Sequence, residues 1–279
     1  MPAIKFLILP FPDLRRRLNQ SVIYDWAMRF PVMVYCSFVL GHDVVAFCQQ
    51  VAQNPSAFED FDSGIMLAML ARISQWLFVL LLSVQPLFRL RAIAKTDEIL
   101  PRAAALATIA IPLLFMEIER APPNAAFNLA AVILSLIGNV MCVVTASFLG
   151  RSLSVMPEAR QLVRGGPYAI VRHPLYPCEM LGTFAIALQY RSIIAAVLFG
   201  ASIALQVARA KSEEAVLART FPEYAAYRAA TPFMVPRDPV RFLASFVMEP
   251  AMRWRSACVV VTTVAVLGIV ATALPRLLV

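Results

Sequence analysis

Apolar and polar residues alternate along this chain in long blocks rather than short periods. Apolar runs fall at roughly 27–48, 64–87, 103–118, 126–149, 175–189, 192–209 and 256–275. A helix needs about 20 apolar residues to cross a bilayer, so these runs predict membrane-spanning helices. The third and fifth are short, suited to tilted partners or to a hairpin packed inside the bundle. "YRS" at 190–192 leaves almost no loop between the fifth and sixth runs, which predicts a tight helical hairpin. No period-2 strand pattern, fixed-period repeat or low-complexity segment is visible. The fold class is therefore all-α: a polytopic transmembrane bundle of about seven spans.

Composition removes the soluble alternative. Of 279 residues, 60% are hydrophobic and 15% charged, with a mean hydropathy of +0.72. Soluble domains carry about 25% charged residues and somewhat under half apolar ones. The net charge of +8 resides in short loops, and no basic stretch interleaved with exposed aromatics suggests a nucleic-acid partner. Lys5 and Arg15–Arg17 precede the first run, and the next loop, "QQVAQNPSAFEDFD", has no Lys or Arg. Arg89, Arg91, Lys95 and Arg102 follow the second run; Arg151, Arg160, Arg164 and Arg172 follow the fourth. Arg209, Lys211, Arg219, Arg228 and Arg237 follow the sixth. Positive charge marks the cytoplasmic side, so this alternation predicts a cytoplasmic N-terminus and an outside C-terminus. The N-terminal "MPAIKFLILPFPDLRRR" reads as an interfacial segment rather than a signal peptide, because its apolar run precedes the basic cluster and is broken by Pro10 and Pro12. Five scattered cysteines and two histidines, His42 and His173, show no metal-ligand spacing, and no metal is expected.

Two polar stretches interrupt the apolar chain on the same predicted side. In "RGGPYAIVRHPLYP", Gly165, Gly166 and Pro167 forbid a regular helix and free backbone groups that must find partners. Pro174 suits the first turn of the fifth helix, whose N-terminal amides favour an anionic group. Arg172 and His173 stand at that helix mouth. Taken alone, the stretch reads as a basic loop with interfacial tyrosines, Tyr168 and Tyr176. The second stretch carries Glu213 and Glu214, with Arg209 placed for an i, i+4 ion pair with Glu213. Leu217 and Phe221 add an apolar stripe, and Pro222 is expected to interrupt the segment, leaving two short helices. A tight hairpin between the two stretches returns Arg172 and His173 to the membrane surface that holds Glu213 and Glu214. Convergent polar groups beside a lipid-accessible bundle suggest a site.

These residues carry a family resemblance. "GPYAIVRHPLYPCE" resembles the GPYxxxRHPxYxGE signature of the isoprenylcysteine carboxyl methyltransferase and phospholipid methyltransferase superfamily. "RAKSEEAVLARTFPEYAAYRAATPFMVP" resembles its RxxxEExxLxxxFGxxYxxYxxxVPxxxP element. Order, spacing and the intervening hairpin match over roughly residues 160–237. The resemblance implies an integral membrane methyltransferase with an S-adenosylmethionine pocket at the cytoplasmic face and a lipophilic acceptor entering from the bilayer. By position, it implies that Gly166, Pro167 and Tyr168 line the cofactor and that His173 and Tyr176 hold its methionyl or ribosyl part. It further implies that Glu213 and Glu214 bind polar cofactor groups, that Tyr224 and Tyr227 close the pocket, and that Arg172 pairs with an acidic partner or the cofactor carboxylate. Arg172, His173 and Glu214 are the candidate catalytic residues.

Three positions depart from the pattern: Cys178 and Pro222 replace glycines, and Phe233 stands where many members have Arg. The expected organisation is a lipid-side wall over residues 1–150, a catalytic module over 151–240, and an interfacial segment with a membrane anchor over 241–279. Expected partners are membrane lipids and a prenylcysteine carboxylate-like or lipid-headgroup acceptor. Two other readings share the architecture: a membrane sterol- or steroid-type NADPH reductase, and a non-catalytic lipid-binding bundle.

Overall fold

The computed structural model describes residues 21–53, 63–96, 99–119, 121–122 and 124–246. Its helices are α1 Val22–Gln53, α2 Ser63–Phe88, α3 Ile99–Met116, α4 Ala125–Leu149, α5 Leu175–Tyr190, α6 Ile193–Thr220, α7 Tyr224–Ala230 and α8 Pro239–Ser245. Among the described residues, four helical stretches are long and apolar enough to cross a membrane: Arg29–Gln53, Ile65–Phe88, Ala125–Ser152 and Ile193–Thr220. The short third and fifth runs form α3, of 18 residues, and α5, of 16. The expected last span, 256–275, and most of the N-terminal segment lie outside the described residues.

Packing follows from residue size. α4 lies along α5 where Gly138 faces Gly182, and a Cβ on Gly138 would stand 3.0 Å from Gly182 N and 3.2 Å from Cys178 O. Small residues at such a crossing let backbones approach, which is how helices gain packing energy where apolar burial gives little. Above it, Cys142 and Ala146 of α4 pack with Leu153, Leu175 and Cys178. Cys178, the first departure, is thus a buried core residue, its Sγ 3.0 Å from Pro174 O. A second cluster, Ile111, Phe115, Tyr190 and Ala195, joins α3 to the turn of the hairpin.

That turn is short because two residues do all of it. Arg191 adopts a left-handed conformation at φ 44°, and its amide closes back on Ala187 O. Ser192 then caps α6, its side chain accepting from Ala195 N at 3.1 Å.

The structure departs from expectation in two places. First, two-residue strands β1 (Ala94–Lys95) and β2 (Glu158–Ala159) pair antiparallel, Ala94 opposite Ala159 and Lys95 opposite Glu158. Two residues are too few to show an alternating pattern, so sequence periodicity is blind to them. Second, α6 runs unbroken for 28 residues, carrying the sixth apolar run and the acidic pair on one rod. Pro222 does end it, but one long helix and the seven-residue α7 replace two short ones. No breaker lies between Ala208 and Thr220, and helix propensity carries through the polar stretch.

Several loop arginines close helix ends. The last carbonyls of a helix lack intrahelical donors; at the end of α2, Arg29 donates to Pro86 O at 2.7 Å and Arg151 to Phe88 O at 2.9 Å. Arg160 donates to Leu90 O and pairs with Glu158. With Leu90 N→Arg151 O and Ile93 N→Ala159 O, these contacts zip residues 89–96 onto 150–160.

Candidate functional site

The stretch before α5 is held in shape by one glycine and a backbone clamp. Gly166 opens a 3-10 turn, Gly166–Ala169, at φ +56°, and a Cβ there would lie 2.1 Å from the Phe148 ring. No other residue meets both demands. Three residues further on, Arg172 N donates to Pro232 O at 2.9 Å and His173 N to Phe233 O at 3.1 Å. The segment after α7 therefore holds the mouth of α5 by its backbone. Tyr227 adds a side-chain tie, its hydroxyl donating to Tyr168 O at 2.6 Å.

The hairpin then delivers the acidic pair. Arg172 Nε lies 2.6 Å from Glu214 Oε1, and His173 Nε2 lies 3.3 Å from the same oxygen. Arg172 also donates to Arg228 O at 2.9 Å and to Thr231 O, while Arg228 approaches the other Glu214 oxygen at 3.8 Å. Glu213, one residue earlier and turned about 100° around the helix, accepts from the Tyr176 hydroxyl and pairs with Arg209 at 3.4 Å. His173 Nδ1 stands 3.9 Å from Glu213 Oε2. The imidazole thus sits between two carboxylates, each facing a different ring nitrogen. Tyr176 stacks on it at 5.6 Å between centroids, and Phe233 meets it edge-on at 5.2 Å.

These groups border a cavity of about 90 Å³, lined among others by Tyr168, Arg172, His173, Tyr176, Arg209, Glu213, Tyr224 and Tyr227. Leu149, Leu153, Leu162, Val163 and Leu217 give it an apolar side. Of the sequence-derived candidates, Gly166, Pro167 and Glu214 do not line it. Gly166 and Pro167 shape the turn behind Tyr168, and Glu214 is taken up by Arg172 and His173. Burial pushes the Tyr227 hydroxyl up to about 12, the Glu214 charge adding to it. Burial likewise raises Tyr168, with Glu213 contributing, and Tyr224, with Glu214 contributing. All three tyrosines are neutral donors at physiological pH.

Sequence reasoning kept Arg209 only as an ion-pair partner. The structure makes it central: it is 5% exposed, donates to Ser154 O at 3.1 Å, and lies 5.0 Å over the Tyr176 ring. The spacing to Glu213 signalled the pair, whereas the link to Ser154 spans 55 residues and leaves no local trace. Phe233, a departure from the family pattern, packs its ring on His173 and under Arg172 at 5.7 Å. Its position therefore contributes an apolar wall in place of a cation.

The residues present suit a sulfonium nucleoside. The faces of Tyr224 and Tyr227 suit a cation, Glu213 is shared with Arg209, and the Tyr168 hydroxyl, 6% exposed as a residue, is buried without a hydrogen-bond partner. An orphaned buried hydroxyl on a cavity wall asks for a ligand or water. The volume is below the roughly 300 Å³ at which small-molecule pockets begin.

Residues 127–224 match the model of the phospholipid methyltransferase family. The chain is 33% identical over 111 residues to the nickel-cobalt-cadmium resistance protein NccN of Alcaligenes xylosoxydans xylosoxydans, a match covering 39% of this chain and 48% of that protein. It is 34% identical over 111 residues to the cobalt-zinc-cadmium resistance protein CzcN of Cupriavidus metallidurans, with the same coverage, 39% and 48%. The chain thus spans about half the length of the curated relatives it matches. The matched segment runs from α4 to the first residue of α7 and contains the RHP turn, the hairpin and the acidic pair. Residues 127–224 are thus similar to the phospholipid methyltransferase family, in line with the resemblance of the two polar motifs to the isoprenylcysteine carboxyl methyltransferase and phospholipid methyltransferase superfamily.

Proposed function

We propose that this chain is an S-adenosylmethionine-dependent membrane methyltransferase acting on a lipophilic acceptor, a lipid headgroup or a prenylcysteine carboxylate-like group. The observation that carries the reading is the imidazole of His173, held between Glu213 and Glu214 on the wall of a cavity ringed by tyrosines. When bound, the cofactor supplies an electrophilic methyl group on a positively charged sulfur. Glu213 and the faces of Tyr224 and Tyr227 would balance that charge, and Tyr168 would donate to a polar atom of the cofactor. Arg172 and Glu214 orient His173, which is the chain's proton carrier for an acceptor that must lose a proton. Methyl transfer is chiefly a task of alignment, and a pocket on a rigid hairpin is suited to it.

The relatives' names concern resistance to metal ions. The two carboxylates beside His173 face opposite sides of its ring, and among the described residues no group of three His, Cys, Asp or Glu is arranged to hold a metal. We therefore read any part in metal resistance as acting through a methylated product. The deciding experiment incubates purified protein in nanodiscs with radiolabelled S-adenosylmethionine and a lipid extract, and measures S-adenosylhomocysteine binding by calorimetry. Label in a lipid fraction together with S-adenosylhomocysteine binding is expected. NADPH binding without S-adenosylhomocysteine binding would replace the reading with the reductase.

A further inference from the structure

The strap that follows α7, residues 232–246, has two unlike faces. Its inner face holds the site. Pro232 O and Phe233 O accept from Arg172 N and His173 N, and Met234 packs with Tyr176 and Ala210. Asp238 then caps α8 by accepting from Arg241 N, and α8 buries Phe242 and packs against the Gly166–Ala169 turn. Phe246, just past α8, reaches the cluster of Cys142, Ala146, Leu175 and Cys178, where α4 ends and α5 begins. The strap thus lies where these helices reach the polar side of the bundle.

Its outer face is apolar and cationic. Val235 is 80% exposed, Val240 77% and Leu243 56%. At about 100° per residue, Val240 stands opposite the buried Phe242, with Leu243 beside it. Arg237 and Arg241 are exposed on the same strap, and neither side chain has an ion pair or hydrogen bond among the described residues. Arg164, two residues before the turn that α8 touches, is exposed as well. Asp238, the strap's one carboxylate, is turned to the amides of α8. Bare apolar side chains beside guanidinium groups suit the boundary of a bilayer, where the first enter the acyl region and the second reach phosphate. Water would leave the apolar groups unburied, and a surface without net negative charge would attract the arginines weakly.

We infer that the outer face of residues 235–243 is a docking surface for an anionic phospholipid bilayer, and that docking holds the strap against the mouth of α5. The docking rests on exposure and charge alone; its use in setting cofactor affinity rests on the methyltransferase reading. The same short segment then faces lipid with Val235, Val240 and Leu243 and faces His173 with the carbonyl of Phe233. Lipid charge on one side is felt as rigidity of the pocket wall on the other.

The test places a bimane label on Val240→Cys, with Cys258 replaced by Ser and the four described cysteines buried. The protein is set in nanodiscs of phosphatidylcholine alone or mixed with an equal part of phosphatidylglycerol. Nitroxide on the shallow acyl carbons of the lipid is expected to quench the label, and iodide in the water is not. Phosphatidylglycerol should deepen the nitroxide quenching, each arginine adding about fivefold to the docking equilibrium. Arg237→Gln combined with Arg241→Gln should erase the difference between the two lipids. S-adenosylhomocysteine, whose uncharged sulfur keeps lipid charge from drawing in the ligand itself, should bind the unaltered protein more tightly in the anionic nanodiscs and the double variant equally in both. Quenching by iodide rather than by nitroxide overturns the docking surface. A label shielded from both quenchers means that protein covers the strap, and overturns it too. Equal nitroxide quenching in the two nanodiscs overturns the preference for anionic lipid, and docking without a change in S-adenosylhomocysteine affinity overturns the link to the pocket. Protein that docks as expected but binds no S-adenosylhomocysteine in either lipid overturns the cofactor reading instead and leaves the docking surface standing.

Discussion

Arg172 Nε lies 2.6 Å from Glu214 Oε1 although 42 residues separate them in sequence. Both side chains are 9% exposed, and the same carboxylate oxygen is shared with His173. One contact thus joins the turn before α5 to the last two turns of α6. It fixes the imidazole from behind.

Glu214→Gln removes the charge that Arg172 faces. Breaking one side of a buried pair costs about 3 kcal/mol, so thermal unfolding should shift clearly downward. Arg172→Lys is expected to lose most of the same stability, since an ammonium cannot replace the donors reaching Glu214, Arg228 O and Thr231 O. An unchanged melting temperature in both variants would remove the pair from the structural account.

Glu213→Gln should behave differently. Glu213 borders the cavity and is 20% exposed, so its loss is expected to weaken S-adenosylmethionine binding about tenfold or more. Thermal stability should change less than in Glu214→Gln. Calorimetry and melting curves on the two variants separate ligand contact from support.

Alkaline pH supplies a third test. The Tyr227 hydroxyl, ordinarily near 10.0, is pushed up to about 12 by burial. Its stabilising effect is complete below about 10 and is lost as pH rises through about 12, because the unfolded chain releases that proton first. Tyr227→Phe should flatten the fall in stability across that window, at the cost of the hydrogen bond to Tyr168 O.

Gly166→Ala is expected to destabilise the turn by about 1–3 kcal/mol from backbone strain alone, with further loss from collision with Phe148. Combining it with Phe148→Ala should relieve the collision and leave the strain. Comparing the single and double variants by chemical unfolding checks both parts.

Sidedness is open to direct measurement. The positive-inside pattern predicts a pocket on the cytoplasmic face and a hairpin turn outside. Arg228 and Arg191 are exposed at these two places, while Cys36, Cys48, Cys142 and Cys178 are buried. With Cys258 replaced by Ser, Arg228→Cys should react with an impermeant thiol reagent only in inside-out vesicles, and Arg191→Cys only in right-side-out ones.

Much of the framework was legible because it rests on local signals. Apolar run lengths mark the helices, "YRS" marks the hairpin, and the spacing of Arg209 and Glu213 marks an ion pair on one helix face. What was not legible depends on distant partners. The Gln206–Glu179 bond crosses between α5 and α6, and the β1–β2 pair joins segments more than 60 residues apart. Arg151 and Arg160 look like ordinary loop charges, yet each donates to a carbonyl near the end of α2. Nor does the motif separate Glu213 from Glu214: only the turn of α6 decides which borders the cavity.

The clamp between residues 172–173 and 232–233 has a consequence for biosynthesis. Because His173 is positioned partly by the carbonyl of Phe233, its setting is incomplete until that residue has emerged from the ribosome. The helices on either side enter the bilayer earlier. A released chain truncated after Thr220 would therefore carry the hairpin and its acidic pair with the far wall of the pocket unmade.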